Sequence, residues 1–142
     1  MAYMLFFYRR RVVRRRPRRR SVASRRDYLA RKEAARALIM ERLGHFQAEY
    51  ARLDPLYAAI LRYNRVAVRD TRSRWGSCTS RKNLNFNYRI LDLSPELRDY
   101  VIAHELCHLK ELHHGRAFWD MLELAIPGAR GLHREARKVK IA

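Results

Sequence analysis

Acidic residues are missing from the first 26 positions, which hold eleven arginines. A like-charge block of this kind repels itself and buries little, which excludes it from a packed core. It predicts a disordered Arg-rich arm over residues 1–26 and a folded domain over residues 27–142. Beyond the arm the chain carries 21 basic against 14 acidic side chains, so most of the net charge of +18 belongs to the arm. The arm has two readings of equal weight, a solvated tail and a phosphate-binding segment over residues 9–26 for non-specific nucleic-acid contact. An Arg-rich, acid-poor start with serines also resembles an organelle transit peptide, the third reading. Cysteine is scarce as well. Cys78 and Cys107 have no paired spacing, which excludes a disulfide framework and suggests a reducing compartment. No apolar run approaches the length of a membrane span, and Met1–Tyr8 is apolar before its charges, the reverse of a signal peptide. These absences together predict a cytoplasmic location and no membrane partner.

What is present is one domain's worth of chain with an ordinary apolar share. Within it stands His104-Glu105-Leu-Cys-His108. Residues four apart lie one turn above each other on an α-helix, so His104 and His108 project from one face and can share a cation. Both fall on the apolar stripe Leu97, Tyr100, Val101, His104, His108, so they point inward, where an unpartnered pair of imidazoles is costly. Neutral imidazoles suit Zn²⁺, and a hydrolytic zinc site takes three protein ligands and leaves a position for water. Glu105 sits beside the ligands, placed to take a proton from that water.

The third ligand must come from downstream. His114 lies six residues past His108, the interval of the His-Glu-x-x-His-x-x-Gly-x-x-His pattern, and is preferred over His113. The usual glycine position of that pattern is Glu111, so the turn is expected to use Gly115 as the residue after the helix end. Glu123 is the runner-up ligand, since a carboxylate from the next helix is the other common solution.

Around this stretch the chain reads as α+β. Asp27 to about Tyr50 repeats Tyr28, Leu29, Ala35, Leu38, Ile39, Leu43 and Phe46 at helical steps, and Asp54-Pro55 breaks it before a helical turn over Leu56–Leu61. Arg65–Asp70 and Leu84–Ile90 alternate as strands. The polar face or edge of the second strand can border the site and pair with an extended peptide, and an ordinary antiparallel hairpin is the equal alternative. Ser94-Pro95-Glu96 starts the histidine-bearing helix. Ala117–Ala125 is a further apolar helix with Phe118 and Trp119 as core, and Leu132–Val139 a short basic one carrying His133 as a surface residue.

Arg74-Trp-Gly-Ser-Cys78, Asn83-Leu-Asn-Phe-Asn-Tyr88, Tyr100-Val-Ile-Ala-His-Glu-Leu-Cys-His-Leu-Lys110 and His113-His-Gly-Arg-Ala-Phe-Trp119 resemble the YgjP-like metallopeptidase family, relatives of the SprT-like zinc metalloproteases. The resemblance covers about Asp27 to Pro127. It implies a compact zincin-like domain: an N-terminal helix on a small antiparallel sheet, then the His-Glu-x-x-His helix and a further C-terminal helix. It also implies His104, His108 and His114 as metal positions and Glu105 as the catalytic one. His113 stands where asparagine is more usual, and the sheet region is shorter than in typical members. The reading is a zinc-dependent metalloendopeptidase acting on a polypeptide through metal-activated water, with Glu105 as general base. Arg74, Arg89 and Tyr88 are candidates to steady the developing charge. Two alternatives stand beside it, a zinc-dependent nucleotide or phosphoanhydride hydrolase and a nucleic-acid-binding module with structural zinc. The open ligand position and Glu105 argue against the second, because closed structural sites use four protein ligands.

Overall fold

Ala35, Ile39, Leu43, Phe46 and Tyr50 follow one another at steps of three and four residues, and all are buried. They form the inner stripe of helix α1 (Val22–Leu53), each large apolar member contributing about 1.5–3 kcal/mol by burial. The computed structural model describes Ala2–Met4 and residues 22–141. Most of the expected arm, residues 5–21 with their proposed nucleic-acid contact, lies outside the described residues. The boundary expected at Asp27 falls inside α1, and Ala2–Met4 is a strand, β1, paired with the sheet. Residues 2–4 and 22–26 of the expected arm thus stand in regular elements.

Asp54-Pro55 ends α1, since proline brings no N–H to the ladder, and the Asp54 carboxylate accepts from Leu56 N at 3.0 Å. One short turn, α2 (Tyr57–Ile60), follows. The sheet comprises β1, β2 (Arg65–Arg69), β3 (Gly76–Thr79) and β4 (Asn83–Asn87), in the order β1-β3-β4-β2. It is mixed where a purely antiparallel sheet was expected. β1 and β4 run antiparallel to β3, but β2 runs parallel to β4, Val66 opposite Leu84 and Val68 opposite Phe86. The cause is β3, a strand that interrupts the stretch between the two expected ones. The chain leaves β2, crosses the end of β4 and returns on its far side. Asn87 clamps this crossing by donating its amide to Thr71 O at 2.6 Å and Arg74 O at 3.2 Å. Asn87 also accepts from Arg89 N, which turns the chain into a 3₁₀ segment over Tyr88–Asp92, so the strand expected to reach Ile90 stops at Asn87.

Ser94 caps α3 (Pro95–Cys107) by accepting from Leu97 N, with Pro95 at the first helical position, as its sequence signal required. α3 packs against β3 and against α1, and Arg42 of α1 grips Asp99 of α3 with two hydrogen bonds of 2.8 and 2.9 Å. Helices α4 (Arg116–Ala125) and α5 (Ala129–Ala136) close the other side of α3. Tyr50 joins α1 to α4 by donating to Met121 O at 2.7 Å. Among the described residues no helix is long and apolar enough to cross a membrane.

Candidate metal centre

The end of α3 decides where its histidines point. His104 and His108 are one turn apart on the inner face and fully buried. The helix stops at Cys107, with His108 as its C-cap in right-handed conformation. Leu109 N then bonds to Leu106 O, while Lys110 N and Glu111 N both reach Cys107 O. These tight turns swing the chain back over the helix end. Gly115 is not the residue that makes the return, as had been expected; it stands at the start of α4, with φ −80° and ψ −175°, a conformation open to any residue. The turn needs no glycine because its hydrogen bonds use ordinary backbone.

The returning loop carries His114 to the pair. The Nε2 atoms of His104, His108 and His114 are each 3.0 Å from the other two. The centre of such a triangle lies ~1.7 Å from each nitrogen, inside the ~2.0–2.1 Å of a zinc–imidazole bond, so one ion can touch all three. The other ring nitrogens are engaged. His108 Nδ1 donates to Glu111 O at 2.9 Å, which leaves its Nε2 bare, and His104 Nδ1 is 2.9 Å from the Tyr100 hydroxyl. A ligating histidine whose second nitrogen is tied to a carbonyl or hydroxyl is the usual outer arrangement of a metal site. Burial holds His104 well below the ordinary imidazole range and pulls His108 down to about 4; His114 is lowered as well. Neutral rings with converging lone pairs repel one another, and a cation is what such a set fits. Phe118 of α4 supports all three rings, lying nearly parallel to His108 at 4.6 Å and edge-on to His104 and His114 at 4.7 and 4.9 Å.

Glu105 is fully buried, and neither carboxylate oxygen has a hydrogen-bond partner. It packs against Gly76 of β3, where a Cβ would stand 2.8 Å from Glu105 Cγ and 2.9 Å from Oε1. Burial raises its carboxyl well above the usual range, against the pull of the Arg74 guanidinium. Positive charge in the histidine cluster would add to that pull. A groove of about 350 Å³ runs along the sheet, lined by Arg69, Arg74, Gly76, Ser77, Asn85 and Asn87.

The remaining candidates separate clearly. His113 is exposed and stands outside the one cluster of potential metal ligands found among the described residues, which is His104, His108 and His114. The Glu123 carboxylate accepts from Gly128 N at 2.8 Å and Arg130 N at 3.3 Å, so it fastens the start of α5 rather than joining the cluster. Arg89 is paired with Asp70 and lies over the Tyr88 ring at 4.5 Å. Arg74 is the cation that acts on Glu105. Cys107, adjacent to His108, faces α1, its sulfur 3.3 Å from the Tyr50 hydroxyl, and burial pushes both thiols up to about 12. Sequence reading missed Gly76, the Tyr100 hydroxyl and His133, which is half-buried with Nδ1 2.7 Å from that hydroxyl. Tyr100 was findable, one turn before His104 on the same face; His133 had no local signal.

The fold is similar to the crystal structure of the metallopeptidase zymogen of Pyrococcus abyssi abylysin, with a TM-score of 0.51 and 23% identity, covering 68% of this chain and 90% of that one. At that identity the likeness is one of fold. A comparison with curated proteins gave no match. The family model for the YgjP-like metallopeptidase domain, however, matches residues 8–138, a stretch that includes the histidine triad, Glu105 and strands β2 to β4. A match of that extent makes the chain a member of the YgjP-like metallopeptidase domain family.

Proposed function

We propose that the chain is a zinc-dependent endopeptidase in which His104, His108 and His114 hold the ion and Glu105 moves the proton. Membership of a metallopeptidase family implies a polypeptide substrate and a divalent metal. The observation that carries the finer reading is a buried, unpartnered carboxylate next in sequence to one of three imidazoles whose Nε2 atoms converge within 3.0 Å. Three neutral nitrogen donors without thiolate or carboxylate suit Zn²⁺ better than Mg²⁺ or Ca²⁺. When bound, such an ion polarises a scissile carbonyl and acidifies water. Glu105 is the group that accepts the proton as water attacks and returns it to the leaving amine. Its lack of other hydrogen bonds leaves both oxygens available for that exchange. Gly76 fixes its position from behind, and Arg74 favours its ionised form.

The Glu105→Gln variant tests this. The amide matches the carboxylate in shape, so zinc content and melting temperature should stay at parent values. Turnover of an internally quenched peptide should fall by about 10²–10⁴-fold, the usual worth of general acid–base help. Parental turnover in a zinc-loaded Glu105→Gln protein would sink the mechanism. Hydrolysis of nucleoside triphosphates but not of peptides by the parent would favour a phosphoanhydride hydrolase instead.

A further inference from the structure

A neutral imidazole carries one proton on one of two nitrogens, and a histidine that ligates through Nε2 must carry it on Nδ1. For His108 the backbone settles the matter, since Glu111 O at 2.9 Å can only accept. His104 has no such partner. Its Nδ1 meets the Tyr100 hydroxyl at 2.9 Å, a group that can donate as readily as accept. If that hydroxyl donated to Nδ1, the proton of His104 would sit on Nε2, directed at the other two histidines, and the ring could not ligate.

The same hydroxyl oxygen has a second neighbour. His133 Nδ1 lies 2.7 Å from it, brought there by α5. We propose that His133 is a positioning residue of the metal site, acting through Tyr100: by accepting the hydroxyl proton it leaves the Tyr100 oxygen free to accept from His104 Nδ1, which fixes His104 in the ligating tautomer. The inference rests on reading His104, His108 and His114 as the ligand set.

The energetic case comes from burial. Tyr100 is fully buried, so its hydroxyl proton needs an acceptor nearby. With His133 present, the ligating arrangement satisfies every group along the chain from His104 Nδ1 through Tyr100 to His133 Nδ1. Without His133 that arrangement strands the hydroxyl proton, whereas the non-ligating one, with Tyr100 donating to His104, loses nothing. Removing His133 therefore tilts the tautomer balance against metal binding.

The placement of His133 is built rather than incidental. Its ring lies edge-on to Trp119 at 5.3 Å and within 9° of parallel to His104. Arg130 of α5 covers Trp119 at 4.7 Å, and Glu123 holds the two backbone amides at the start of α5.

Zinc affinity measured by chelator competition on metal-free protein tests the inference without recourse to activity. His133→Leu should weaken zinc binding by about 10–100-fold, the usual effect of removing an outer partner of a ligand. His133→Asn, whose amide oxygen can stand where Nδ1 stood, should stay close to the parent. Because His133 acts through the hydroxyl, Tyr100→Phe/His133→Leu should bind no more weakly than Tyr100→Phe alone. In the zinc-loaded parent, long-range ¹⁵N spectra should show His133 protonated on Nε2. Parental affinity in His133→Leu, equal losses in the leucine and asparagine variants, an additive double variant or a proton on His133 Nδ1 would each overturn it. His104→Ala, the control, should abolish zinc binding; retention there would instead overturn the ligand reading. Should His133→Leu fail to fold, the asparagine variant and the parent spectra still decide the question.

Discussion

Gly76 shows how much of the site depends on one missing methyl group. Its Cα lies against Glu105 so closely that a Cβ would come within 2.8 Å of the side chain, and both residues are buried with nowhere to retreat. Gly76→Ala should therefore cost about 1–3 kcal/mol by overpacking. It should also cost on the order of 10²-fold in turnover, because a displacement of ~1 Å at a reacting group is felt that strongly. Zinc content should not change. Calorimetry, metal analysis and peptide hydrolysis on the same preparation check this, and full turnover in the folded variant would show that Gly76 does not position Glu105. At this scale the sequence was informative about spacing and silent about tertiary contact. His104, His108 and His114 could be chosen from their intervals alone, since four residues are one helical turn. That Gly76 meets a glutamate 29 positions later depends on how β3 lies across α3, and no interval carries that. Tyr100 lay between: its place on the buried stripe was readable, but its hydroxyl's two histidine partners needed α5 in position.

Among elements, the helices were legible and the sheet only partly so. The stripe of α1 and the Ser94-Pro95 start of α3 are local patterns, and both stand where the pattern puts them except at Leu29, which is exposed. β3 escaped notice because Gly76, Ser77 and Cys78 are all buried, which erases the inside–outside alternation that marks a half-exposed strand. Without β3 the two alternating strands looked like neighbours in a hairpin, and the parallel pairing of β2 with β4 had no visible cause. Glu123, the runner-up ligand, shows a related limit. A carboxylate on the helix after the histidines suits a ligand, yet here it closes the α4–α5 turn, where Gly128 adopts φ 82° and the amides of Gly128 and Arg130 need an acceptor. Glu123→Ala should lower stability by about 0.5–2 kcal/mol, as removal of a helix cap does. His104, His108 and His114 should retain the ion in that variant. Denaturant unfolding with metal analysis separates the two roles, and stoichiometric loss of zinc would restore Glu123 as a ligand.

Over the whole molecule, charge is uneven along the sequence and burial is uneven along α1. All 14 acidic residues lie from Asp27 onward, so the folded part is only modestly basic. Burial along α1, in turn, is confined to its second part. Its 32 residues span ~48 Å at the helical rise, and none of its described side chains before Ala35 is fully buried, whereas a buried residue recurs every three or four positions from there to Tyr50. Tyr28, edge-on to Tyr88 at 5.0 Å, tethers the early turns to the 3₁₀ segment. A helix so unevenly anchored does not open as a unit. Its amides before Ala35 should exchange with deuterium through local fraying, and those between Ile39 and Tyr50 only when the whole domain unfolds. Exchange followed residue by residue by NMR should trace a gradient of protection along one continuous helix, and uniform protection would mean that the early turns are held by contacts stronger than these. In kinetic terms α1 is two objects, a fast-opening lever and a slow-opening pillar, joined without a break in the backbone.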